Sequence, residues 1–94
     1  MHPLIERHRA RIRDLAARYG IDDVRVFGSM ARDDADPDSD IDLLVTLPPG
    51  RSGLALGGLL MDVQELTQRK VDVVTAAGLH PAVRERVIRE AHRL

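Results

Sequence analysis

The stretch VFGSMARDDADPDSDIDLLV, residues 26 to 45, leaves one apolar run, turns at Gly28 and Ser29, passes six aspartates and ends in a second apolar run. Asp33, Asp34, Asp36 and Asp38 surround Pro37 and read as a solvated turn. Asp40 and Asp42 do not fit that reading, because they stand at the mouth of an apolar strand, DIDLLVTL. Strand side chains alternate between faces, so Asp40, Asp42 and Leu44 point one way while Ile41, Leu43 and Val45 point the other. The two carboxylates then share a face with their Cβ atoms roughly 6 to 7 Å apart, a spacing that lets both reach one hard cation or bridge a pair. Without a cation they repel, and burial makes the repulsion worse, so the pattern implies one. A calcium loop beginning at Asp34 is the rival reading. It fails because Ser39 stands where the loop needs glycine and Val45 where it needs glutamate.

Outward from this stretch, the chain reads as alternating helices and strands. Pro3 opens a first helix in which Leu4, Ile5, Ile12, Leu15, Ala16 and Tyr19 recur near helical spacing up to a stop at Gly20. DVRVF is a short strand ahead of the Gly-Ser turn. After PPG at residues 48 to 50, residues 54 to 69 place Leu56, Leu59, Leu60, Val63 and Leu66 on one helical face; Gly57 and Gly58 weaken its start, so that helix is expected to be secure only from about Leu59. KVDVVTA is a third strand in which Asp72 interrupts an apolar run. If it lies beside the second strand, a third carboxylate joins Asp40 and Asp42. HPAVRERVIREAHRL is a final helix with Val83, Val87, Ile88 and Ala91 inward. The order α-β-β-α-β-α predicts an α/β (α+β) fold, a small mixed sheet of at least three strands flanked by helices.

Composition narrows the function. Ninety-four residues, 44% hydrophobic and 31% charged, describe one domain spanning residues 1 to 94. A net charge of −1 and only one Phe, one Tyr and no Trp argue against direct nucleic-acid binding, by charge or by base stacking. No uncharged stretch is long enough for a membrane span, and with no Cys and no apolar leader the chain is expected in the cytoplasm. The histidines at 2, 8, 80 and 92 show no metal-ligand spacing and read as solvated, and Tyr19 reads as core. Gly28 lets the backbone turn tightly after a strand, so that the amides and the Ser29 hydroxyl can face an anion such as phosphate. Arg32 either contacts that phosphate or pairs with an Asp of its own loop.

Gly28-Ser29 followed eleven residues later by Asp40-x-Asp42 resembles the signature of the DNA polymerase beta-like nucleotidyltransferase superfamily. GSMAR and then SDIDLLV, with the order of elements over nearly the whole chain, resemble more narrowly the minimal nucleotidyltransferases, the MntA-type antitoxins encoded beside a HEPN-domain toxin. The resemblance implies that Gly28 and Ser29 hold the phosphates of ATP, with Arg32 as the further candidate for that nucleotide site. It also implies that Asp40, Asp42 and Asp72 are the catalytic carboxylates and ligands of Mg²⁺, two ions in the superfamily's usual arrangement. The implied reaction is transfer of AMP to a tyrosine hydroxyl of the HEPN ribonuclease, with which the chain would form a hetero-oligomer. The alternatives are an antitoxin that neutralises by binding alone and an aminoglycoside-type transferase acting on a small molecule. Asp33 stands where the family usually has glycine.

Overall fold

The computed structural model describes residues 1–32, 34, 36, 38–51 and 53–94; Asp33 and Pro37, singled out above, lie outside these residues. The chain forms α1 (Pro3–Ala17), β1 (Val24–Phe27), α2 (Ser29–Arg32), β2 (Ile41–Val45), α3 (Leu54–Thr67), β3 (Val71–Thr75), α4 (Pro81–Glu90) and β4 (His92–Arg93). The strands make one mixed sheet in the order β3-β2-β1-β4. β1 runs antiparallel to β2 and to β4, and β2 runs parallel to β3. Parallel neighbours cannot be joined by a tight turn, so a crossover is required, and α3 is that crossover.

Alternation along the strands decides which face is core. Val24 and Val26 of β1, Ile41, Leu43 and Val45 of β2 and Val71 of β3 are buried in one cluster with Ile5, Ile12, Leu15 and Ala16 of α1 and Leu59 and Val63 of α3. Burying each such side chain fully contributes about 1.5–3 kcal/mol, which is how helices of modest intrinsic propensity are held. Met30 of α2, fully buried, belongs to the same cluster and fastens the turn after β1 to the core. The opposite face carries Arg25, Phe27, Asp42, Leu44 and Asp72, and α4 lies against part of it, with Ile88 lining a cleft beside Arg25 and Leu44.

Four expectations are corrected. α3 is helical from Leu54 on, not secure only from about Leu59, because packing of Leu56 against the core outweighs the glycine penalty and Gly58 has a use of its own. A Cβ at Gly58 would lie 2.7 Å from Cε1 of Tyr19, whose half-buried ring packs there with its hydroxyl donating to Asp62 Oδ2 at 2.7 Å. The final helix stops at Glu90, where the chain turns into β4 and pairs with β1, so Ala91 to Leu94 are not helical. Ile88 is 43% exposed rather than inward. His2 and His80 are caps, not merely solvated groups: each accepts at Nδ1 from the amide two residues on, in front of a proline that opens a helix.

Candidate active site

β1 delivers its chain to the site at Phe27, which sits directly opposite Asp42 on β2. The next residue, Gly28, has φ +72°, in the left-handed region where a side chain is strained. Space also demands glycine here, because a Cβ at residue 28 would fall on Oδ2 of Asp42. The turn is braced from both sides. The amides of Ala31 and Arg32 donate to Gly28 O, each at 3.1 Å, and the His2 amide donates to Met30 O at 2.9 Å, tying α2 to the start of α1. Gly28 is thereby held against the Asp42 carboxylate, with Ser29 next in the chain at the start of α2.

The carboxylates come from three positions. Asp42 is the second residue of β2 and is in register with Asp72, the second residue of the parallel strand β3, so the two lie side by side on one face. Asp40 immediately precedes β2, where the Ile41 amide donates to Lys70 O at 2.9 Å and closes the sheet behind it. Asp40 and Asp42 are half-buried, while Asp72 is exposed on the edge strand. Burial pushes the Asp42 carboxyl above its ordinary value; the charges of Asp72, Asp40 and Glu90 push it further, and Arg32 opposes them. Among the described residues no group of three or more His, Cys, Asp or Glu side chains is gathered closely enough to hold a metal ion alone. Mg²⁺ is ordinarily held by one or two carboxylates together with substrate phosphates and water. The donor set fits that cation: all the ligands are oxygens, and Asp42, pushed up by burial and by the charges of Asp72 and Asp40, is the one a cation would most relieve.

Arg32 pairs with its own loop and also with a residue the sequence did not point to. Its Nε donates to Asp34 Oδ2 at 3.1 Å, and its Nη1 makes a close ion pair with Glu90 at the end of α4. Arg69, just ahead of β3, was missed as well. It donates to the carbonyls of Ser39 at 3.2 Å and Asp36 at 3.4 Å and so straps the acidic loop to the mouth of the two parallel strands. Within that loop the Asp38 amide donates to Asp36 Oδ1 at 2.8 Å and the Asp36 amide to Ser39 Oγ at 2.9 Å, a self-contained turn that leaves Asp40 and Asp42 as the site's carboxylates. A glycine-bounded turn, a row of carboxylates and a guanidinium on one open rim suit a nucleoside triphosphate and a cation.

Comparison with known proteins identifies the family and the fold. Residues 5–94 match the model of the nucleotidyltransferase domain family. The protein adenylyltransferase MntA of Thermococcus cleftensis is 33% identical over 81 residues, 86% of this chain and 82% of that protein. A solved minimal nucleotidyltransferase is 44% identical, covers 100% of this chain and 97% of its own, and superposes with a TM-score of 0.83. A toxin–antitoxin complex with AMP-PNP, at 19% identity and a TM-score of 0.76, shares the fold over 89% of this chain and 69% of that one. No helix among the described residues is long and apolar enough to cross a membrane.

Proposed function

The chain belongs to the nucleotidyltransferase domain family, as a minimal nucleotidyltransferase, and from that premise we propose that its 94 residues act as one domain, a protein adenylyltransferase serving as the antitoxin of a HEPN-domain ribonuclease toxin. The observation that carries the reading is the wedge of Gly28 against Asp42, with Asp72 in register beside it. It supports reading the Gly28-Ser29 turn and the carboxylate row as one site. The relative MntA, named a protein adenylyltransferase, supports AMP as the transferred group, and the toxin–antitoxin fold neighbour with AMP-PNP supports ATP as donor and a toxin as partner. ATP as co-substrate suits a cytoplasmic protein.

In this reading Gly28, Ser29 and Arg32 hold the triphosphate, and Asp40, Asp42 and Asp72 hold one or two Mg²⁺ ions. Bound there, the cation offsets charge on the phosphates and on the leaving oxygen. The tyrosine oxygen of the partner forms a bond to the α-phosphorus of ATP while the bond from that phosphorus to the β-phosphate bridging oxygen breaks, releasing pyrophosphate. Asp72, the exposed carboxylate, takes the hydroxyl proton from the side on which a partner can approach. In-line displacement of this kind asks the protein mainly for position and charge, which a domain of this size can supply.

The test is incubation with ATP labelled at the α-phosphate, Mg²⁺ and the HEPN protein encoded beside this gene. Label is expected on a partner tyrosine with the parent protein, and none with Asp40→Asn plus Asp42→Asn. No label with the parent, or equal label with the double variant, overturns the proposal. A double variant that still neutralises the toxin as well as the parent makes binding, not transfer, the source of protection.

A further inference from the structure

We propose that Glu90, at the end of α4, is a positioning residue that holds the Arg32 guanidinium in place for the phosphates of the nucleotide. This rests on the reading of Arg32 as a phosphate contact. The two residues are 58 positions apart in sequence and meet in a close ion pair. Glu90 makes the firmer half: its side chain is 22% exposed against 51% for Arg32. Its backbone is clamped on both sides. The Ala91 amide closes the helix onto Val87 O at 2.9 Å, and β4 pairs with β1 directly afterwards. The Leu94 amide donates to Val24 O at 2.9 Å and Arg9 Nη2 to Arg93 O at 2.8 Å, so the tail that carries Glu90 is anchored to both β1 and α1.

The location of Glu90 is otherwise hard to account for. It adds a negative charge within electrostatic reach of Asp42, where Asp72 and Asp40 already repel it and where an anionic nucleotide is to bind. An ion pair whose guanidinium is half exposed to water stabilises little, so fold stability alone does not favour one more carboxylate at this rim. Holding the guanidinium does. A free arginine side chain loses considerable rotamer freedom when it is fixed on a ligand, and a guanidinium already oriented loses less. Asp34 takes Nε and Glu90 takes Nη1, one from each side, and two such contacts do not exhaust the five N–H donors of the group. The guanidinium is steered while donors remain for phosphate oxygens.

The test is calorimetric titration of AMP-PNP with Mg²⁺ into the full chain for the parent, Glu90→Ala, Glu90→Gln, Arg32→Ala and the double Ala variant. ATP steady-state kinetics on the partner would follow. Glu90→Ala is expected to weaken binding about fivefold, the scale of one modest charge contact, and to raise KM with kcat unchanged. Glu90→Gln keeps an acceptor for Nη1 and recovers part of the loss. In the Arg32→Ala background, removing Glu90 changes nothing further. If Arg32→Ala leaves binding unchanged, the phosphate role of Arg32 is wrong and this inference falls with it. If Arg32→Ala weakens binding but Glu90→Ala leaves it unchanged or tightens it, only the inference falls. Equal losses from removing Glu90 in both backgrounds, accompanied by lower melting temperatures, make Glu90 a support of the fold and overturn the proposal.

Discussion

Asp42→Asn is expected to make the ligand-free protein more stable at neutral pH while removing its transferase activity. The native environment raises the Asp42 pKa above the ordinary 3.8, first through burial and then through Asp72 and Asp40. A group with a raised native pKa binds its proton more tightly folded than unfolded. Its contribution to stability is therefore fully present below the ordinary value and is lost as pH rises through the native one. Above the raised native value, the charge on the carboxylate works against the fold. Asp42 and Asp72 face each other across adjacent strands, which lie about 4.8 Å apart. At that separation, with an effective dielectric between about 20 and 80, their repulsion is about 1–3 kcal/mol. Asp72 is exposed, which places the gain from asparagine near the low end, about 1 kcal/mol or roughly 4–8 °C in melting temperature for a domain of this size. The assay is thermal unfolding of parent and variant in chelator between pH 4 and pH 7.5. The variant should melt higher at neutral pH, with the gap closing toward the acid end. Asp23 shifts in the opposite sense, because burial pushes it up but bonds from Arg25 and Thr46 and the charges of Arg25 and Arg93 together hold it below its ordinary value; it is common to both proteins and cancels in the difference. A variant that melts lower at pH 7, or a gap that does not change with pH, would refute the electrostatic account of Asp42.

Three further substitutions test the glycines. Gly28→Ala puts a side chain at φ +72° and onto Asp42 Oδ2; the conformation alone costs about 1–2 kcal/mol, and the displaced carboxylate should lower AMP transfer about a hundredfold, measured with labelled ATP. Wild-type transfer by this variant would mean that the wedge is not functional. Gly57→Ala and Gly58→Ala should move urea midpoints in opposite directions. Nothing lies within 4 Å of a Cβ at Gly57, so alanine there gains about 1 kcal/mol of helix propensity, whereas at Gly58 the same gain is exceeded by about 1–3 kcal/mol of overpacking against the Tyr19 ring. Equal shifts at both positions would contradict the packing seen around Tyr19.

Much of the site was legible because it is periodic. The alternation of Asp40, Ile41, Asp42 and Leu43 assigns faces without any tertiary information, and the parallel pairing of β2 with β3 then brings Asp72 beside Asp42. Contacts between distant segments were not legible. Glu90 lies on a helix face crowded with charge, RERVIRE, and nothing local separates it from Glu85 or Arg89. Its partner Arg32 is identified only by folding α4 across the sheet. β4 was hidden for a related reason: His92 and Arg93 have no strand preference worth noting and extend only because the β1 edge offers them hydrogen bonds. The early start of α3 shows the reverse case, where propensity was read correctly at Gly57 and Gly58 but packing of Leu56 and Tyr19 outweighed it.

If the proposed site is right, the same electrostatics that destabilise it without ligand predict that nucleotide and cation bind as a pair. ATP alone would bring its negative charge to a rim already occupied by Asp40, Asp42, Asp72, Asp34 and Glu90, with Arg32 shared between the last two. Mg²⁺ alone would meet carboxylates without the phosphate oxygens that normally complete its shell. Each ligand therefore lowers the cost of the other, and by linkage the coupling must be reciprocal. At about a hundred times its dissociation constant, a ligand that binds only the folded state adds about 2.7 kcal/mol of stability, well within reach of a thermal shift assay. The melting temperature should rise with MgATP by more than the sum of the shifts from Mg²⁺ alone and from ATP in chelator, and Asp42→Asn should lose most of that excess. Additive shifts, or an equal shift from ATP in chelator, would separate the nucleotide from the carboxylates and remove the physical reason for Asp40, Asp42 and Asp72 to share one face.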